Sequence, residues 1–152
     1  MQKLNLPTVQ LRCRKVGQKS QVFDEVRKKF VALTPEEWVR QHFVHYLLKQ
    51  LNYPAGLTAV EMLVKVNGLS QRADIVLYNK QGKPVIIIEC KAPEVPVTRA
   101  VFNQAARYNT QLNVKYLIVT NGMQHYCARL IDDEGNYELL KTIPKAEEVY
   151  LE

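Results

Sequence analysis

Four consecutive aliphatic residues, Val85, Ile86, Ile87 and Ile88, followed at once by Glu89-Cys90-Lys91, constrain this chain more than any other feature. Neighbouring side chains of a strand point to opposite faces, so an apolar run without alternation implies a strand covered on both sides. That is the centre of a layered fold, and a charge at its end sits at the rim of a core, where it costs energy unless partnered. Glu89 and Lys91 share one face, while Cys90 points to the other and reads as a packing residue. The preceding run, Ala73 to Tyr78, opens with Asp74 and is joined to the first by Asn-Lys-Gln-Gly-Lys, a segment suited to a hairpin. Antiparallel pairing then brings Asp74 beside Glu89 and Lys91.

The rest of the chain supplies layers for such a sheet. A short strand is predicted over 8–16, then a polar stretch and a small basic segment from Phe23 to Phe30. Thr34 can cap a helix with Pro35 at its first position and Glu36 and Glu37 in its first turn. Val39, Phe43, Leu47 and Leu51 then fall on one face at helical spacing, and Tyr53, Pro54 and Gly56 end it. A strand over Val60–Val66, a turn at Asn-Gly-Leu-Ser-Gln and the two runs above make a three-stranded meander. A second helix is predicted from Thr98 to about Leu112, then strands at Lys115–Thr120, His125–Ile131 and Tyr137–Leu140, the first two joined through Asn121-Gly122. Helix, three strands, helix, strand describes a mixed sheet with helices packed against it, an α/β (α+β) fold in one globular domain.

Of the 152 residues, 21 are basic and 15 acidic, and the whole excess lies before residue 31, where eight basic side chains face only Asp24 and Glu25. Phosphate backbones attract such segments through counterion release, which makes Arg12, Arg14, Lys15, Lys28 and Lys29 candidate nucleic-acid contacts. Residues 1–30 are accordingly read as a basic segment packed on or next to a core domain of 31–152. No window resembles a membrane span or a signal core, and Cys13, Cys90 and Cys127 match no zinc spacing, so a cytoplasmic protein with free thiols is expected. His42 and His45 lack partners at metal-binding spacing and read as structural, and His125 has no evident partner. Phosphate-loop and dinucleotide-binding glycine motifs are missing, so no nucleotide site is expected.

Two carboxylates converging beside an ammonium can hold a divalent metal and position a water, which is what phosphodiester hydrolysis requires. Four motifs in order give that chemistry a context: Thr-Pro-Glu-Glu-Trp-Val-Arg-Gln at 34–41, Arg-Ala-Asp-Ile-Val at 72–76, Glu-Cys-Lys-Ala-Pro at 89–93, and Gln104 with Tyr108 one helical turn apart. Together they resemble the PD-(D/E)xK nuclease superfamily, and most closely the N-terminal nuclease-like domain of type I restriction enzyme R proteins. Ala73 replaces the proline usual before the acidic strand residue.

The resemblance implies a restriction-endonuclease-like αβββαβ core and a Mg²⁺- or Mn²⁺-dependent endonuclease acting on DNA by direct attack of water. It implies that Asp74, Glu89 and the backbone carbonyl of Cys90 bind the metal, that Lys91 orients or activates the water, and that Glu37 completes the acidic cluster, with Glu36 its nearest rival. Gln104 and Tyr108 would support the site, and Arg72, Arg99 and Arg107 would contact phosphate. A complete R protein carries an ATP-driven motor for which this chain has no space, so a stand-alone relative or an excised domain is expected. Its partners would be DNA, a motor or specificity subunit, or a second copy. The alternative is a catalytically silent or partner-dependent nucleic-acid-binding or interaction module with the same fold.

Overall fold

The computed structural model describes residues 1–66, 68–110 and 112–150, with the backbone alone of Val66, Tyr108 and Thr110. Six strands form the central sheet in the order β4 (Thr58–Val66), β5 (Leu69–Tyr78), β6 (Pro84–Cys90), β7 (Tyr116–Thr120), β8 (His125–Leu130) and β9 (Tyr137–Leu140). Every neighbouring pair is antiparallel except β6 and β7, which run parallel because α2 (Arg99–Thr110) carries the chain back across the sheet. This is the mixed sheet flanked by helices that the order of elements predicts.

The apolar run lies where its composition requires. Ile86 and Ile88 pack beneath α1 (Pro35–His45), Ile87 packs beneath α2, and all three are fully buried. Each contributes about 1.5–3 kcal/mol by leaving water, so β6 anchors both layers. β7 divides its side chains in the same way, with Tyr116 and Ile118 toward α1 and Leu117 and Val119 toward α2. The hairpin before β6 is closed by Asn79, whose side chain accepts from the N–H groups of Gln81 and Lys83, and by Gly82 at φ 77°.

The first helix differs from expectation at its end. Thr34 caps it, accepting from the Glu37 N–H at 3.0 Å, but after His45 the chain widens into a π-helical turn over Tyr46–Gln50, with Leu51 N–H reaching Tyr46 O at 3.2 Å. The wider turn keeps Leu47 and Leu51 in the core with Val39 and Phe43. β5 begins at Leu69, so most of the predicted Asn-Gly-Leu-Ser-Gln turn is strand; Asn67 lies outside the described residues. A terminal helix, α3 (Ala146–Tyr150), was not anticipated; Tyr53 Oη donates to Pro144 O at 2.6 Å just before it.

The largest departure lies at the N-terminus. Where one short strand and a basic segment are expected, β1 (Cys13–Val16), β2 (Lys19–Asp24) and β3 (Lys29–Ala32) form a separate antiparallel sheet. Its turns hide in polar sequence: Gly17 takes φ 63°, and Asp24 Oδ1 accepts from the Val26 and Arg27 N–H groups at 2.9 and 2.8 Å. Ahead of it, Leu4 enters the core and Asn5 N–H donates to Gly122 O at 2.8 Å. Gly122 has φ 85°, and a Cβ there would stand 2.9 Å from Leu4 Cδ2 and 3.1 Å from Val39 Cγ2. Gly122→Ala is therefore expected to cost about 1–3 kcal/mol, from the left-handed backbone and the crowding together, as read by urea unfolding.

Candidate active site

Asp74 lies where β5 and β4 are locally irregular. The register runs Val60 to Ile75 and Met62 to Ala73, while Glu61 between them has φ 52°. Ala73 packs toward α2 and Ile75 toward α1, so the usual alternation breaks at Asp74. Its Oδ1 accepts from Arg40 Nη2 of α1 at 2.7 Å, and its Oδ2 accepts from the backbone N–H of Cys90 at 2.8 Å. The second bond ties Asp74 directly to the end of β6. Lys91 continues that end, its N–H donating to Thr120 O at 2.8 Å on the parallel neighbour.

Glu89 and Lys91 share a face, as their spacing predicts, and with Gln104, Val101 and Ala105 of α2 they line a cavity of about 220 Å³. Glu89 Oε1 accepts from Gln71 Nε2 of β5 at 3.2 Å, whereas the buried Gln71 Oε1 has no partner among the described residues. Burial raises the carboxyl pKa of Glu89; Lys91 opposes the shift and the charge of Asp74 adds to it. Cys90 turns its thiol into the core, where desolvation raises its pKa well above the usual range.

The two helix-borne glutamates separate clearly. Glu37 is buried, and its carboxylate accepts from Arg40 Nη1 at 2.7 Å, Arg27 Nη2 at 3.3 Å and Gln41 Nε2 at 3.0 Å. Glu36 keeps its side chain 47 % exposed and makes one bond, to Arg40 Nη2 at 3.3 Å. Its pKa is raised by burial and by the charge of Asp74, against the pull of Arg40 and Lys91. Glu36 therefore shares the electrostatic environment of Asp74 and Lys91, and Glu37 is taken up by internal partners. Sequence reading did not single out Arg40, Glu61 or Gln71; the only signal was Arg40 and Gln41 standing in phase with Glu37 on the helix.

The basic residues are distributed differently. Arg72 is 69 % exposed and lies 3.7 Å from Glu61. Arg99 and Arg107 line a separate hollow of about 310 Å³ beside Tyr137 and Leu139, apart from the Gln104 cavity. On the N-terminal sheet, Arg14 lies 3.8 Å from the Phe30 ring centre and Arg12 is held 5.0 Å from that of Phe23. Lys15, Lys28 and Lys29 are exposed, and Lys28 is within 3.7 Å of Glu25. The Tyr108 side chain lies outside the described residues.

The donor set suits a hard divalent ion. Asp74, Glu89 and the Cys90 carbonyl offer oxygen alone, and each Asp74 oxygen has one protein donor and a lone pair to spare. Among the described residues no three His, Cys, Asp or Glu side chains are grouped so as to hold a metal ion by themselves. Two carboxylates with several retained waters remain the arrangement expected of Mg²⁺.

His42 and His125 serve packing, against Trp38 and Phe43. His42 Nδ1 lies 2.8 Å from Trp38 O. His125 bridges Thr120 Oγ1 at 2.6 Å and Asn5 O at 3.1 Å. A carbonyl only accepts, so Nε2 donates to Asn5 and Nδ1 accepts from the Thr120 hydroxyl. Burial lowers the pKa of His125, and the bond to Asn5 only partly offsets it. A depressed folded pKa means that the contribution is present above the unfolded value of about 6.5 and is lost as pH falls through the folded one. The stability lost between pH 7.5 and 5.5 should therefore be smaller in His125→Gln than in the wild type, as followed by thermal unfolding at both pH values.

Among the described residues no helix is long and apolar enough to cross a membrane. Comparison with solved structures finds a fragment described as an HsdR subunit of a type I restriction enzyme from Vibrio vulnificus YJ016, with TM-score 0.53 and 22 % identity over 77 % of this chain and 24 % of that one. The chain thus spans about a quarter of that fragment's length. A structure described as a nuclease of the DUF820 group from Anabaena variabilis ATCC 29413 has TM-score 0.51 and 10 % identity over 86 % of this chain and 83 % of that one. At such identities the likeness is one of fold. No curated protein matches the chain. The family model for the type I restriction enzyme R protein N terminus matches residues 35–144, a span that contains Glu36, Asp74, Glu89, Lys91 and Gln104, and this chain belongs to that family.

Proposed function

We propose that the chain is a metal-dependent endonuclease domain that hydrolyses DNA phosphodiester bonds at the end of β6. The observation that carries this is the bond from the Cys90 N–H to Asp74, which brings that carboxylate to the end of β6, where Glu89 and Lys91 line one cavity. Asp74, Glu89 and the Cys90 carbonyl would hold Mg²⁺ or Mn²⁺, which when bound supplies Lewis-acid stabilisation of charge on phosphate. Lys91 orients the attacking water and offsets the negative charge building on the phosphate oxygens. Gln104, across the cavity, is positioned to hydrogen-bond the substrate backbone or the site carboxylates. The charges of Asp74 and Lys91 act on the Glu36 carboxyl while Glu37 is held by Arg27, Arg40 and Gln41, which supports Glu36 as the helix glutamate of the site.

DNA is the substrate that the family and the basic N-terminal surface favour. Arg12, Arg14, Lys15, Lys28 and Lys29 would contact phosphate, and Arg72 lies on the same strand as Asp74. Arg99 and Arg107 would contact DNA only beyond the cavity, along the hollow they share with β9. In this reading a motor or specificity subunit delivers the substrate, and a second copy supplies the cut in the other strand.

The test is cleavage of supercoiled plasmid by the purified chain at increasing Mg²⁺ or Mn²⁺, with Lys91→Ala prepared in parallel. Metal-dependent nicking confined to the wild type supports the assignment. Nicking that survives the substitution overturns it.

A further inference from the structure

Arg40 stands at the meeting point of two systems of charges. Toward the site it donates to Asp74 at 2.7 Å and Glu36 at 3.3 Å. Away from it, Arg40 donates to Glu37 at 2.7 Å and Glu61 at 3.3 Å. The Arg40 side chain is only 6 % exposed, and although burial works against its charge, Glu37 and Asp74 hold its pKa above the ordinary arginine value. A planar fork that grips two carboxylates at once fixes both orientations, which a point charge cannot do.

The chain of bonds continues into the N-terminal sheet. Glu37 also accepts from Arg27 at 3.3 Å, Arg27 Nε donates to Asp24 at 2.7 Å, and Gln41 Nε2 bridges Asp24 at 2.9 Å and Glu37 at 3.0 Å. Asp24 is fully buried. Asp24 and Arg27 precede residue 35, where the family match begins. The link from the sheet to Asp74 is therefore continuous, charge-assisted and largely shielded from solvent.

We propose that Arg40 is a positioning residue for Asp74, and that Asp24 and Arg27 set Arg40 through Glu37, so that the N-terminal sheet is a working part of the site. This rests on the reading of Asp74 as a site carboxylate. The sheet then has two roles, presenting a basic face outward and bracing the site inward, so displacing it loosens Asp74.

The experiment uses the full chain with Arg40→Lys, which keeps the charge but loses the fork, and Arg27→Gln, which breaks the link one bond further away. Partners of metal-binding carboxylates typically matter by about 10–100-fold in metal affinity or activity. Arg40→Lys should weaken Mn²⁺ binding, measured by calorimetry, by roughly tenfold or more, and Arg27→Gln by a smaller factor in the same direction. Both should lower kcat for plasmid nicking with KM nearly unchanged, in samples whose circular dichroism matches the wild type. Wild-type Mn²⁺ affinity and kcat in both folded variants would overturn the proposal.

An arm independent of metal and activity is the unfolding equilibrium of Arg27→Gln, Asp74→Asn and the double variant. Independent sites combine to within about twofold in the unfolding constant, so a deviation of threefold or more establishes coupling, whereas multiplicative behaviour overturns it. Should the wild type neither bind Mn²⁺ nor nick DNA, the nuclease reading fails, and this arm alone decides the fate of the brace.

Discussion

Lys91→Ala is expected to lower metal-dependent nicking of supercoiled DNA by about 10²–10⁴-fold, the range that one positioned proton-transfer or charge-stabilising group contributes. Binding of the same DNA should change little, because one ammonium among many basic side chains carries a small share of the phosphate contacts. The fold should tolerate the change: Lys91 is half-buried at a strand end, and its backbone N–H, the group that bonds Thr120, is retained. Gel assays of cleavage and filter binding at matched salt separate the two effects. Parallel loss of cutting and binding would mean that Lys91 serves to hold DNA.

The second large effect is on stability. Asp24 is fully buried and accepts four hydrogen bonds, from the N–H groups of Val26 and Arg27, from Arg27 Nε and from Gln41 Nε2. Removing one partner of a buried ionic group leaves the others uncompensated, at a cost of about 3–5 kcal/mol, so Asp24→Ala should lower Tm by roughly 6–20 °C for a domain of this size. Although burial alone would raise the Asp24 pKa, its bonds to Arg27 and Gln41 hold it below the ordinary value. That contribution is present at neutral pH and is lost as pH falls through the folded value, so the gap between variant and wild type should narrow in acid. Calorimetric melts at pH 7 and pH 3.5 measure both quantities.

Much of this architecture is legible in the chain. The unbroken Val85–Ile88 run fixes a strand buried on both faces, and the Thr34-Pro35-Glu36-Glu37 cap fixes where α1 starts. Local chemistry determines these features, so sequence displays them. The N-terminal sheet is harder to read because its strands are short, its first strand is wholly exposed, and its turns rest on Asp24 and on Lys28 at φ 56°. Glu36 and Glu37 could not be separated by helical phase because both sit in the first turn. The choice depends on Arg27, Arg40 and Gln41, which reach Glu37 from two different layers. Gln71 escaped notice because the sequence places it in a turn, whereas it lies in β5 and reaches Glu89 across the sheet.

The bond from Lys91 N–H to Thr120 O has a consequence for biosynthesis. Parallel pairing of β6 with β7 demands the whole α2 crossover first, and contacts so distant along the chain form late because loop closure must precede them. Asp74 and Glu89 lie on an early hairpin, yet the backbone that aims Lys91 is incomplete until Thr120 has been synthesised and docked. A ribosome-bound fragment ending before that residue has the acids without a fixed ammonium, so the proposed centre would be assembled only in chains that have closed their sheet.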